Sequence, residues 1–578
     1  MDDILSRYCP RIDFDSYEDF YQNYRCDAPE NFNFAYDVVD EWARIDPAKP
    51  ALLWTNDEGA ALSYTFADMK RLSSKAAAVL LDLGLSKGDV VMLILKQRPE
   101  VWIMLTALEK IGAVAIPGTY QLTRKDIAYR CNAAEVKVLI TVDDGELLDN
   151  IAAALPECPG VRHWAVVTPP RAAGAGIPAG CLDLRRAMEG APETFTRPSG
   201  GADTRLREPM LIYFSSGTTG MPKMVLHDHS LPLGHIVTAR YWLCVQDGKV
   251  HMTQTDSGWA KFAWGKIYGQ WICGAVIGAY DTEKFTPRGI LDAIDRLRPA
   301  TFCAPATIFR FLIKEDLSGR DFSFIKRCSV AGEPLSPEVY HQIKEKTGLE
   351  IREGFGQSET SVMAACFKWL PVRPGSMGKP APLFGLELLD EAGAPCDDGM
   401  VGNISVTAAG DPGSAGPGAA PVSGGSPPGL FRGYWKDGEV TARCWSGGVY
   451  RTGDMAWRDS DGYYWFVGRN DDVIKCSGYR IGPFEVESAL MEHPAVLECA
   501  VTAAPDPTRG QVVKATIVLA KGRVPSEDLK RELQNHVKRV TAPYKYPRIV
   551  DFVEELPKTV SGKIQRNLIR QKDAGPAG

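Results

Sequence analysis

Two rhythms of apolar and polar positions alternate along this chain. Apolar residues recur at helical spacing over 34–44 and 69–83, with Gly84 as the second stop. Continuous apolar runs of strand length occupy 90–95, 113–116, 138–141 and 164–167, and a helical pattern at 101–111, ended by Gly112, separates the first two. The alternation resumes with a helix at 290–297, a strand at 300–304 and an apolar run at 324–331 that leads into Gly332-Glu333-Pro334. Strands alternating with helices predict an α/β fold, with parallel sheets covered by helices. The last stretch reads as a small α+β unit: strands at 497–502 and 514–519 and a helix at 526–538. The predicted organisation is a large N-terminal domain of several subdomains over 1–468, a charged hinge at 469–472 and a small C-terminal domain over 473–578. The first residues, aromatic and acidic, are expected to wrap over the main body. Residues 408–429 are nearly all Gly, Pro, Ala and Ser, which predicts a flexible surface insertion.

Length and composition narrow the class. A chain of 578 residues is too long for one core. With 45% hydrophobic and 24% charged residues it has the make-up of a globular protein, and a net charge of −6 gives no reason to expect nucleic acid. Fourteen cysteines occur singly, without Cys-x-x-Cys or zinc-like spacing, so neither a disulfide framework nor structural zinc is expected. Cys273, Cys303, Cys328 and Cys499 lie in apolar runs and read as small core residues of a protein in a reducing compartment. The acidic N-terminus lacks the marks of a signal or transit peptide, and the best apolar span, 262–280, contains Lys266. The expectation is a cytosolic protein without a membrane span.

Candidate chemistry begins at Ser215-Ser216-Gly217-Thr218-Thr219-Gly220-Met221-Pro222-Lys223, after the strand-like run Met210-Leu211-Ile212-Tyr213-Phe214. Small hydroxylated residues and glycines let backbone N–H groups converge on an anion, and the lysine adds charge. The common nucleotide loop is excluded, because Pro222 precedes the lysine and Met224 follows it. By itself the stretch is either a solvated turn or a phosphate cradle.

Further stretches join it: Ala331-Gly332-Glu333-Pro334-Leu335, Gly354-Phe355-Gly356-Gln357-Ser358-Glu359-Thr360, Tyr450-Arg451-Thr452-Gly453-Asp454, Gly468-Arg469 through Gly478-Tyr479-Arg480, and Pro557-Lys558-Thr559-Val560-Ser561-Gly562-Lys563-Ile564. In this order and over nearly the whole chain, they resemble the acyl-adenylate-forming enzymes, specifically AMP-forming acyl-CoA synthetases of the medium-chain type. Trp259-Ala260-Lys261, the run from Trp264 to Trp271 and Ala542 to Arg548 are similar to medium-chain and archaeal branched-chain members.

The resemblance implies a carboxylic acid, ATP and coenzyme A as substrates, with Mg²⁺ as cofactor. The acid attacks the α-phosphorus of ATP to give acyl-AMP and pyrophosphate, and the CoA thiol then displaces AMP. It implies that Ser215 to Gly220 and Lys223 hold the polyphosphate. Gly332, Glu333 and Pro334, with Glu353, Gly354, Phe355, Gly356, Gln357 and Ser358, would bind the nucleotide. Glu359 would be the metal ligand, Asp454 would accept from the ribose hydroxyls, and Arg469 would support it. Lys563 would be the catalytic lysine, offsetting repulsion between carboxylate and phosphate. Asp471 would be the hinge of a domain rotation that brings up a CoA site of Ser477, Gly478, Tyr479, Arg480, Arg509, Tyr546, Pro547 and Arg548. Trp259, Cys303, Gly354 and Gly356 would line the acyl pocket. Where acetyl-specific relatives carry a blocking tryptophan, this chain has Gly356, so an acid longer than acetate is expected; a benzoate-type acid also fits. Lys261 in a pocket-forming stretch has no assigned role.

The same family includes enzymes that pass the adenylate to a carrier protein or to oxygen, and a non-catalytic sensor on this fold is the rival from another class. The chain ends fifteen residues after Lys563 with no carrier domain, and a sensor has no need of a catalytic lysine. The oligomeric state stays open, and the resemblance makes Lys563 a target for a lysine acetyltransferase.

Overall fold

The computed structural model describes residues 4–168, 177–215, 221–407, 426–446, 448–476, 479–506, 509–558 and 564–574. Ser216 to Gly220, Ser477, Gly478 and Lys563 lie outside the described residues, as do 408–425 of the expected insertion. The side chains of Tyr479 and Arg480 are likewise outside them.

Three sheets carry the described elements. The first has eight strands, in the order Gly433–Tyr434, Lys223–Asp228, Pro209–Ser215, Val114–Pro117, Val90–Ile94, Val138–Val142, His163–Val167 and Leu182–Asp183. From Pro209–Ser215 onward its neighbours run parallel, as the alternating pattern predicts. Pro209–Ser215 and Lys223–Asp228 instead form an antiparallel pair, with Ser215 opposite Lys223. Ser215 and Lys223, described residues on either side of the Ser/Thr/Gly stretch, thus end adjacent strands.

The second sheet has fourteen strands. One half is parallel and contains Pro50–Asn56, Val276–Asp281, Val250–Thr253, Thr301–Ala304, Arg327–Val330 and Ile351–Phe355. The other half is antiparallel and contains Ala364–Ala365, Ser376–Pro380, Tyr464–Arg469, Val449–Arg458, Gly402–Val406 and Leu386–Leu389. Helix–strand alternation could not reveal this half, because its strands are joined without helices long enough to set a period. The third sheet holds Tyr479–Ile481, Ile474–Cys476, Gly510–Leu519, Val496–Asp506 and Ile549–Val553. The chain leaves the second sheet at Arg469 and enters the third at Ile474.

Local signals set the helix ends. Thr65 and Asp68 form a reciprocal capping box at the start of Phe66–Asp82. Gly112, in the left-handed region at φ 70°, ends Glu100–Ile111.

The aromatic N-terminal stretch lies against the body. Phe20 packs on Tyr241 with ring centroids 4.5 Å apart, the Tyr17 hydroxyl donates to the Pro380 carbonyl at 2.8 Å, and Trp369 Nε1 donates to the Phe14 carbonyl at 3.1 Å. Cys273, Cys303, Cys328 and Cys499 are buried, and all fourteen cysteines are free thiols. The expected surface insertion needs a correction at its end: 426–429 are buried, and the Gly429 carbonyl accepts from Ser361 N at 2.9 Å. Glycine makes this close approach feasible, since a Cβ on Gly429 would lie 2.7 Å from Ser361 Oγ. Among the described residues, no helix is long and apolar enough to cross a membrane.

Gly378 fixes how the antiparallel half packs. It has φ 84°, and a Cβ there would lie 2.0 Å from the Ala365 carbonyl carbon on the neighbouring strand. Gly378→Ala therefore combines left-handed strain with overpacking and should cost about 3 kcal/mol. Thermal unfolding should show a midpoint several degrees lower; an unchanged midpoint would contradict this packing.

Candidate active site

Gln357 follows the strand Ile351–Phe355, where a loop carries the chain toward Ala364–Ala365. Its backbone N–H donates to Thr360 Oγ1 at 3.1 Å, which fixes the loop. Its side-chain amide is fully engaged: Tyr450 donates to Oε1 at 2.7 Å, while Nε2 donates to the Thr452 carbonyl at 3.0 Å and to Asp454 Oδ2 at 2.5 Å. The Gln357 motif and the Tyr450-to-Asp454 motif, far apart in sequence, thus meet through one amide.

Asp454 sits opposite Arg469 in the antiparallel pair of Val449–Arg458 and Tyr464–Arg469. Arg469 Nε lies 3.7 Å from Asp454 Oδ1 and 3.6 Å from Asp471 Oδ1. Burial opposes the charge of Arg469, but Asp454, Asp471 and Glu359 outweigh it and raise its pKa above the usual arginine range. A carboxylate held by an amide on one oxygen and a guanidinium near the other is positioned to accept from paired hydroxyls.

Glu359 is buried, and the Tyr434 hydroxyl donates to its Oε1 at 2.8 Å. Burial, with Glu359 beside it, pushes the Tyr434 hydroxyl far above the usual tyrosine range, so it stays a donor. Lys223 Nζ stands 5.0 Å from the Tyr434 ring centroid, which brings the loop lysine beside the Glu359–Tyr434 pair. A carboxylate with one oxygen committed to a tyrosine is an oxygen donor suited to Mg²⁺, which takes one or two protein carboxylates beside phosphate oxygens. Among the described residues, no cluster of three His, Cys, Asp or Glu could hold a metal, so Glu359 would need phosphate oxygens to complete the shell. The next loop residue is anchored too, with His227 Nε2–H donating to the Ser358 carbonyl at 2.7 Å. Burial lowers His227 to about 4, which keeps it neutral.

The two carboxylates expected near adenine are both committed. Glu333 accepts from the Thr307 N–H at 2.5 Å and from Arg310 at 2.9 Å. Burial opposes ionisation of Glu333, but Arg310 and Thr307 outweigh it and lower its pKa. Glu353 turns inward to accept from Leu335 N at 3.3 Å, and burial raises it to about 8. Their side chains therefore brace the loops.

Gly354 and Gly356 are sites of close approach rather than open space. A Cβ on Gly354 would lie 2.5 Å from the Trp242 indole, and one on Gly356 would lie 2.3 Å from Trp264 Cη2. The two indoles meet edge to face at 6.2 Å. The room expected at Gly356 is thus filled by Trp264, a correction invisible to sequence because the tryptophan comes from the distant helix Lys261–Gly265. Lys261 now has an account: its Nζ donates to the Ala331 carbonyl at 2.8 Å and also lies beside Cys303. Cys303 is buried on the strand Thr301–Ala304, whereas Trp259 is half-buried and starts its turn on Asp256. Trp242, Tyr434 and Arg310 escaped sequence reasoning, and Trp264 and Tyr450, though inside motifs that carry the resemblance, had been given no role.

Of the expected CoA residues, Arg548 donates to the Tyr546 hydroxyl at 2.8 Å and lies over its ring, and the Pro547 carbonyl accepts from Gln534. The Arg509 N–H donates to Asp506 Oδ1 at 2.8 Å. Tyr479 pairs with Cys476 and Arg480 with Lys475 across a short hairpin.

Comparison with known proteins identifies the family. The model of the family described as AMP-binding enzyme matches residues 39–410, and that of the AMP-binding enzyme C-terminal domain matches 485–563. Mouse acyl-coenzyme A synthetase ACSM3, mitochondrial, is 42% identical over 97% of this chain and 94% of its own length. Human acyl-coenzyme A synthetase ACSM5, mitochondrial, is 42% identical over 95% and 91%. The crystal structure of the anthranilate CoA ligase AuaEII in complex with anthranoyl-AMP is similar with a TM-score of 0.83 and 27% identity, covering 95% of this chain and 98% of that one. A benzoate CoA ligase from Burkholderia xenovorans LB400 gives 0.77 and 25%, covering 93% and 100%. The chain belongs to the AMP-binding enzyme family. Within it the chain is an AMP-forming acyl-CoA synthetase, which makes an acyl-adenylate and transfers its acyl group to CoA. The expectation of a cytosolic enzyme is overturned by these relatives, the named acyl-coenzyme A synthetases all being mitochondrial.

Two outcomes test the site. Gln357→Leu removes three hydrogen bonds worth about 1 kcal/mol each, so steady-state kinetics should show the KM for ATP rising at least about tenfold. Glu353 binds its proton in the folded state up to about pH 8 but loses it near pH 4.5 when unfolded, so it costs stability increasingly as pH rises between those values. Glu353→Gln mimics the protonated acid. Its melting temperature should gain on the wild type from pH 5 to pH 8 and then hold level; a pH-independent difference would rule out a buried neutral carboxyl.

Proposed function

We propose that this synthetase activates a medium-chain or branched carboxylic acid, with Lys223, Glu359, Asp454, Arg469 and Lys563 doing the chemistry. The observation that carries the reading is the proximity of two groups, Gln357–Asp454–Arg469 and Glu359–Tyr434–Lys223, with the Glu359 charge acting on Arg469. Asp454 accepts from the ribose, and the Glu333 and Glu353 loops offer backbone to adenine. Lys223 and the Ser215-to-Gly220 stretch hold the β- and γ-phosphates. Glu359 would hold a Mg²⁺ ion, which supplies charge neutralisation on the polyphosphate when bound.

Lys563 would act between the incoming carboxylate and the α-phosphate, where a cation offsets their repulsion as the P–O bond forms and pyrophosphate leaves. In the second step the CoA thiolate attacks the acyl carbon, and AMP departs. The 469–472 segment serves as the hinge, with Asp471 at its centre, exchanging Lys563 for the Ser477-to-Arg480 hairpin. Arg509 and Tyr546 to Arg548 meet the CoA phosphates.

Trp264 and Trp242 set the reach of the acyl pocket. A second reading, an aryl acid, is favoured by their edge-to-face pair, since aromatic walls suit an aromatic ring. The ligases for anthranilate and benzoate are structurally similar to this chain. Pyrophosphate release screened from acetate to dodecanoate, with branched and aromatic acids, separates the two. Octanoate or a branched acid should exceed acetate and benzoate in kcat/KM. Benzoate on top favours the aryl reading, and acetate on top overturns both.

Trp264→Ala should lengthen the preferred acid, with kcat/KM gaining about fourfold for each methylene newly buried, from about 0.8 kcal/mol apiece. Lys563→Ala should lose acyl-AMP formation by about a thousandfold or more, yet keep most thioester formation from supplied acyl-AMP. Equal loss in both half-reactions would refute the two-conformation assignment.

A further inference from the structure

Asp472 directly follows the proposed hinge residue and is 7% exposed. Its N–H donates to the Arg469 carbonyl at 3.0 Å. Two arginines from the C-terminal helix Arg566–Ala574 converge on its carboxylate. Arg570 forms a short ion pair with Oδ1, and Arg566 Nη1 lies 3.8 Å from Oδ2. Arg566 also grips Glu487 with Nη2, at 2.7 Å from Oε1 and 2.8 Å from Oε2. Glu487 in turn accepts from Val501 N at 2.8 Å, which ties the network to the long strand Val496–Asp506.

The helix is held elsewhere as well. Lys514 pairs with Asp573 at 2.5 Å and with Asp551 at 2.7 Å. Ile569 is buried with Leu556 and Ala500. Before the helix, Lys558 and Ile564 form an isolated antiparallel bridge, and Gln565 N donates to the Pro557 carbonyl at 2.8 Å. Lys558 and Ile564, the described residues on either side of Lys563, therefore sit on one braced frame. That frame is fastened to the hinge through Asp472.

We propose that Asp472 is a positioning residue for adenylation: with Arg566 and Arg570 it couples hinge rotation to the frame that carries Lys563. The inference rests on the reading of Lys563 as the adenylation lysine. All its charged members lie beyond Asp471, so the clamp rotates with the small domain and survives in both orientations. It matters only where Lys563 must be placed, because a displacement of about 1 Å at a reacting group costs about a hundredfold in rate. Thioester formation does not use Lys563 and should not sense the clamp.

The test uses the full-length enzyme in both half-reactions. Asp472→Asn should lower acid-dependent ATP–pyrophosphate exchange by about thirtyfold in kcat, with the KM values for ATP and acid within about threefold. Thioester formation from supplied acyl-AMP and CoA should stay within about threefold. Asp472→Glu, which keeps the charge, should recover much of the exchange. Arg570→Lys should show the same split between half-reactions and replaces Asp472→Asn if that variant folds poorly. Equal loss in both half-reactions, or no loss in either, overturns the proposal. Lys563→Ala in parallel separates the failures. If that variant retains exchange, the underlying reading falls; if it loses exchange while the clamp variants do not, only the clamp falls.

Discussion

The amide of Gln357 is the contact on which the site depends. It accepts from Tyr450 and donates to Thr452 and Asp454, so it joins the end of the parallel half of the large sheet to its antiparallel half. An amide can do this because it carries donor and acceptor on one rigid plane. A charged side chain there would meet the Asp454 carboxylate as either a competitor or a full ion pair. The amide orients Asp454 without cancelling its charge.

Around that contact the protein manages an excess of negative charge. Asp454, Asp471 and Glu359 lie near one arginine, and the substrates add a triphosphate and a carboxylate. Arg469 is stabilised as a cation by that crowding, and Glu359 is braced by a neutral hydroxyl rather than a cation. Glu353, raised to about 8, withdraws from the charge count altogether. In the proposed cycle, Lys563 would supply the missing positive charge only for adenylation rather than permanently.

Much of this was legible in the chain. The strand–helix alternation through 90–167 predicted the parallel sheet, Gly112 ended its helix, and the apolar run before Ser215 is a strand. The motifs at Gln357, Asp454 and Arg469 meet in space. The antiparallel half was not legible, because its strands carry no helical punctuation. The acyl pocket was misread at Gly356 for a related reason: a missing side chain is visible in sequence, but the indole that moves into its place is not. The end of the Gly/Pro-rich insertion was likewise buried by contact with Ser361 and Gly234, which composition cannot foresee.

Sequence by itself carried the motifs: which acids, amides and lysines are present, in what order, and that together they resemble an adenylating set. Those are properties of residue type and local spacing, which the linear chain carries. Only the tertiary structure decided how the set is held: Trp264 over Gly356, Tyr434 on Glu359, Arg310 on Glu333 and Asp472 within reach of Arg570. Each of these joins elements far apart in sequence, and their meeting depends on sheet register and packing across layers. No window of the chain contains both partners.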